Sequence, residues 1–125
     1  MSTPLHFRVY PEGRRQKSYF TVRLFRSEHK MFRFYHALTN LRRMDFRAIV
    51  VSWCADGPEL GQIFFAPRSV VPGIVTHEMV HAGMTWAARR KVRVLTKRGE
   101  EKLAQAVEKM TAQFWRLYEK SRAVK

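Results

Sequence analysis

Residues 62–81, QIFFAPRSVVPGIVTHEMVH, hold a strand signal, a proline stop and the start of a helix within twenty positions. QIFFA is a short, nearly continuous apolar run of strand length. Pro67 ends it, and Pro72 sits where a helix can begin, since the first turn needs no N–H from that position. The helix predicted from about Val71 to Arg90 contains His77-Glu78-Met79-Val80-His81. Histidines at i and i+4 lie one turn apart on one helix face, so both imidazoles can point at a single ion. Glu78, one residue past the first histidine, stands at the edge of that face. There it can reach a water at the metal without being a ligand.

Upstream, RAIVVSWC (residues 47–54) predicts another strand, joined to QIFFA by the turn ADGPELG as an antiparallel hairpin. Residues 5–10 read as a short strand. SYFTVRLFR (18–26) alternates with period two, setting Phe20, Val22 and Leu24 on one face. Ser27 is placed to cap a helix carrying Met31, Phe34, Tyr35, Leu38 and Leu41 at helical spacing. Past the basic connection KVRVLTKRG, Gly99 is read as preceding a final helix with the apolar stripe Leu103, Val107, Met110, Phe114 and Leu117. The expected fold is α+β: a small antiparallel sheet packed on about three helices, in a single domain over residues 1–125.

A catalytic zinc site takes three protein ligands and leaves one position open. The remaining histidines, His6, His29 and His36, and both aspartates, Asp45 and Asp56, precede the motif. The carboxylates that follow it are Glu100, Glu101, Glu108 and Glu119, with Glu100 and Glu101 near the start of the last helix. HEMVH followed by Glu101-Lys102-Leu103-Ala104 resembles the gluzincin branch of zinc metallopeptidases, in particular the minigluzincins and compact bacterial and phage zinc peptidases. That resemblance spans roughly residues 60–118. It implies a zincin-like fold with an active-site helix and a C-terminal glutamate helix, and Zn2+ held by His77, His81 and Glu101. It also implies Glu78 as the general base in hydrolysis of a protein or peptide substrate. The family often carries an aspartate four residues after the glutamate; Gln105 stands there instead. Of the two adjacent glutamates, Glu101 is preferred because Ala104 and Gln105 share its face and a small Ala104 would allow close approach of the metal helix. The strand Gln62–Ala66, directly before the metal helix, is expected to carry the substrate by strand addition. Tyr35, His36, Tyr118 and Arg89 are candidate donors to an oxyanion.

The formal charge is +14, from 24 Lys and Arg against 10 Asp and Glu. Such an imbalance favours phosphate-rich or acidic partners and says little about fold. The basic residues cluster at Arg14, Arg15 and Lys17, at Arg42, Arg43 and Arg47, and from Arg89 to Arg98. A solvated face, an acidic protein partner and weak, non-specific nucleic-acid binding all account for them. A basic nucleic-acid-binding protein with a structural or vestigial zinc site is therefore the competing functional expectation. MSTPLHFRVY lacks the apolar stretch of a signal peptide, and no segment is long and apolar enough for a membrane span. The lone Cys54, in an apolar strand, is expected to be buried and structural. Together these features predict a cytoplasmic protein without a membrane partner.

Overall fold

In the computed structural model, which describes residues 5–13 and 17–123, the strand run around QIFFA is the centre of the sheet. The elements in chain order are β1 (Leu5–Val9), β2 (Tyr19–Leu24), α1 (Glu28–Thr39), β3 (Ala48–Ser52), β4 (Glu59–Phe65), α2 (Pro72–Arg89) and α3 (Lys97–Ala123). The sheet order is β1-β2-β4-β3. β4 pairs antiparallel with β3 and parallel with β2, while β1 and β2 are antiparallel. The α+β class holds, but the sheet is mixed where the sequence led us to expect an antiparallel one. The cause is burial: β4 is covered on both faces from Leu60 to Phe65, as strands of parallel sheets are. The parallel β2–β4 pair needs a crossover, and α1 with β3 supplies it.

Alternation along β4 sends its side chains to two cores. Ile63 and Phe65 join Phe20 and Val22 of β2, Val75, Met79 and Trp86 of α2, and Met110 and Phe114 of α3. Phe64 points the other way, against Phe25, Met31 and Tyr35. Hence α1 covers one face of the sheet, and α2 and α3 cover the other. α1 starts at Ser27, whose side chain accepts from the Lys30 N–H at 3.1 Å, and ends at Asn40 in the left-handed region at φ 62°. Arg14 and Arg15 of the first basic cluster lie outside the described residues.

Glu59 ties β4 to its neighbours. Its carboxylate accepts from Thr21 Oγ1 of β2 at 2.5 Å, from Trp53 Nε1 just past β3 at 2.6 Å, and from Gln62 Nε2 at 3.4 Å. Burial alone pushes this carboxyl up, but the three donors and nearby Arg23 outweigh it and hold it below its ordinary value. A carboxyl depressed by folding contributes stability above its unfolded pKa, and that contribution is lost as pH falls through the folded value. Glu59→Gln is therefore expected to lower stability at pH 7 by about 1.5 kcal/mol. The gap between variant and parent should close as acid protonates the parent. Thermal melts of both proteins from pH 7 to pH 3 check this; a gap that stays constant would remove the carboxylate from the account.

Two further placements depart from the sequence reading. Cys54 lies beyond the end of β3 and is exposed, so it is not a buried strand residue. α3 begins at Lys97, two residues before Gly99. Thr96 serves the helix start: its hydroxyl accepts from the Gly99 N–H at 3.0 Å and its carbonyl from the Glu100 N–H at 2.8 Å. Gly99 thus sits buried inside the first turn. A Cβ there would stand 1.7 Å from the Arg93 carbonyl oxygen.

Candidate metal centre

His77, Glu78 and His81 sit mid-helix, where backbone bonds hold them rigidly. α2 starts with Pro72 in its first turn and lies across β3 and β4 on the face that also carries α3. Ser52 Oγ at the end of β3 meets Thr85 Oγ1 of α2 at 2.8 Å, pinning the strand to the helix. Between them runs a groove of about 450 Å³. Its lining includes His77, Glu78, His81 and Met84 from α2, Ile49 and Ser52 from β3, and Arg43 and Phe46 from the preceding loop.

The two imidazoles converge. Their Nε2 atoms are 3.2 Å apart, with ring centroids at 4.8 Å and planes crossing at 72°. Two nitrogens bound to one tetrahedral zinc at the usual 2.0–2.1 Å would stand about 3.3 Å apart, so this pair fits one such ion. Both histidines are solvent-exposed while Glu78 is only 6% exposed. Burial pushes the Glu78 carboxyl up, with the charges of His77 and His81 pulling the other way. A carboxyl raised toward neutrality is better matched to taking and giving protons.

Glu101 is not brought to this pair. Among the described residues no group of three or more His, Cys, Asp or Glu is arranged to hold a metal ion. Glu101 is exposed, and its Oε1 accepts from Gln105 Nε2 at 3.4 Å. On α3 it stands about 160° from Leu103, which packs against the core, whereas Glu100 stands only about 60° away. Glu100 lines the groove between α3 and α2, together with Thr76 and Val80 of α2. Nor is Ala104 the close-contact position, since it is exposed. That role belongs to Gly83 of α2, where an added Cβ would lie 2.8 Å from Val107 Cγ2 and 2.9 Å from Leu103 Cδ1.

The strand expected to take substrate is also different. Gln62–Ala66 belongs largely to β4, whose backbone is engaged by β2 on one side and β3 on the other. No ladder position is left for a third strand. β3 is one of the two sheet edges, and it borders the histidine groove. The four candidate oxyanion donors are placed elsewhere. Tyr35 is buried in the α1 core, His36 Nδ1 contacts the Leu41 carbonyl, Tyr118 stacks on Phe114, and Arg89 donates to the Trp53 carbonyl at 2.7 Å. Arg43 is the cation that lines the groove. Sequence reasoning missed it because the loop between α1 and β3 has no periodicity to reveal its direction. No protein-family model, curated protein or solved structure matches the chain.

Proposed function

We propose that the chain is a zinc-dependent peptidase. The observation that carries this reading is the 3.2 Å convergence of His77 and His81 Nε2 beside the buried Glu78 carboxyl, in a groove bounded by an open sheet edge. A structural zinc would be closed by four protein ligands; a pair facing an open groove suits the form that leaves room for substrate. When bound, zinc would supply Lewis-acid polarisation of a carbonyl and of water.

The chain's own residues do the rest. An extended peptide laid along β3 would find the outer N–H and C=O groups of that strand free to bond, which fixes its register. Glu78 takes the proton of the attacking water at its carboxylate and delivers it to the departing amine. Arg43, at the groove wall, is positioned to stabilise the negative charge that develops on the carbonyl oxygen. His77 and His81 would hold the ion, and a carboxylate from the first turn of α3 would have to move toward them to supply the third ligand. Glu101 is the residue named by the family pattern; Glu100, which lines the groove beside Thr76 and Val80 of α2, is the alternative this reading favours. The exposed thiol of Cys54 suits a reducing compartment, consistent with a cytoplasmic location. No helix among the described residues is long and apolar enough to cross a membrane.

Hydrolysis of an unfolded protein such as casein, abolished by a chelator and restored by zinc, tests the activity. Zinc content of Glu100→Ala and Glu101→Ala, measured in parallel, tests the ligand. Loss of about 10-fold or more in zinc affinity is expected for Glu100→Ala, with Glu101→Ala near the parent. The reverse result would return the role to Glu101. If both variants keep their metal, α3 is not the source of a ligand.

A further inference from the structure

Three members of the basic clusters conspicuous in the sequence are engaged within the fold. Arg43 pairs with Asp45 at 3.1 Å, Arg90 with Glu12 at 2.6 Å, and Arg89 donates to a backbone carbonyl. A row of cations that shares only Arg98 with those clusters becomes visible when α3 is viewed along its axis. Arg98, Lys102, Lys109, Arg116 and Lys120 are all exposed. Their spacings of 4, 7, 7 and 4 residues keep them within about 40° of one another around the helix. The row is about 33 Å long at 1.5 Å per residue. Among the described residues none of the five is ion-paired; none has a carboxylate four positions away, although Arg98 and Arg116 have one three positions on, Glu101 and Glu119. Arg98–Lys102 and Arg116–Lys120 are instead like-charge pairs at i,i+4, an arrangement that opposes the helix and that an anionic partner would relieve. The carboxylates Glu101, Glu108 and Glu119 fall together on a neighbouring face, roughly 60–120° around from the row. Lys97 and Arg122 fall near those carboxylates, so the acidic face is mixed while the row itself holds cations alone.

We propose that this row on α3 is a docking surface for the phosphate backbone of double-stranded nucleic acid. A straight line of unpaired cations about 33 Å long matches about one turn of B-form duplex. The face carries no large exposed hydrophobic residue, which a membrane-surface helix requires. The aromatic residues of α3, Phe114, Trp115 and Tyr118, lie on other faces and pack in or against the core. Base stacking, on which single-strand binders depend, is therefore not offered. The cleft beside the row, lined by Trp86, Arg90, Lys102 and Lys109, opens on the flank of α2 away from the histidines: Arg90 stands about 180° around that helix axis from His81. Duplex and peptide could thus be held at once, and this surface does not depend on the hydrolytic reading.

The test is fluorescence anisotropy with a labelled 30-base-pair DNA duplex of arbitrary sequence, titrated at several salt concentrations. The triple variant Lys102→Gln/Lys109→Gln/Arg116→Gln is compared with a control of equal charge loss on and next to α1, Arg26→Gln/Lys30→Gln/Arg33→Gln. The single reversal Lys109→Glu is measured alongside as a milder lesion. The row variant is expected to lose at least about tenfold in affinity at 50 mM salt, with a log–log salt slope shallower by about 2.7. The control should lose much less, and Lys109→Glu should fall between the two. Equal losses in row and control variants would overturn the surface and leave only net charge. Tighter binding to a single-stranded oligonucleotide, tighter binding to phosphatidylserine vesicles, or no duplex binding at 50 mM salt would overturn it as well.

Discussion

Glu78→Gln is expected to leave zinc content at the parent level while reducing casein hydrolysis about 10²–10⁴-fold. Glutamine has nearly the shape of glutamate, so it fills the same buried space between α2 and β3 and leaves the His77–His81 convergence undisturbed. What it lacks is a basic oxygen. The neutral amide cannot accept the proton of the attacking water, and no second carboxylate lines the groove to substitute for it. Zinc measured by elemental analysis, beside initial rates on the same preparation, separates this outcome from simple loss of metal. A variant that keeps both zinc and full activity would end the general-base assignment.

Gly99→Val is expected to lower stability by roughly 3 kcal/mol or more, a large effect for one side chain. The difficulty is not in the helix, which tolerates valine at modest cost. It lies in the turn that precedes it. Thr96 bonds back to Arg93 at 2.7 Å through its hydroxyl and forward to the Gly99 N–H, folding residues 93–96 tightly over the first turn. The Arg93 carbonyl oxygen occupies the place of any Cβ at position 99. That oxygen is backbone, so it cannot swing aside as a side chain end would. Either the turn opens and the cap is lost, or α3 shifts along its axis. A shift would also move Glu100 relative to α2, so a fall in zinc affinity should accompany the lower melting temperature. A denaturant titration checks the first effect. A midpoint unchanged from the parent would mean that the 93–96 turn is free to yield.

The sequence disclosed what is periodic and local. Alternation in SYFTVRLFR, the apolar run RAIVVSWC, the Ser27 cap and the 3.6-residue stripe of α3 all lead to the observed elements, because neighbours along the chain determine them. The partner of β4 on its other side was not legible. Pairing with β2 joins residues about forty positions apart, and a hairpin signal describes only the near neighbour. The choice between Glu100 and Glu101 is a different case. Leu103, Met110 and Phe114 already define the buried side of the helix, and from that stripe Glu100 is the nearer residue. Emphasis on Ala104 as the close-contact position obscured it, since the contact is made from the other helix, at Gly83. The row from Arg98 to Lys120 was present in the sequence as well. It is invisible to a search for charge runs because its members are four and seven residues apart.

The place of β4 in the sheet also bears on how the chain is made. Synthesis proceeds from the N-terminus at about 5–20 residues per second. β1, β2, α1 and β3 therefore all emerge before the strand that must lie between β2 and β3. Until residues 59–65 appear, Phe20 and Val22 on one side and Ile49 and Val51 on the other have no shared partner. The nascent protein carries two unjoined apolar edges for roughly 0.6–3 s. It can complete its sheet only by inserting a late strand between early ones, a step that rewards prompt synthesis of residues 59–65 or a chaperone at that stage.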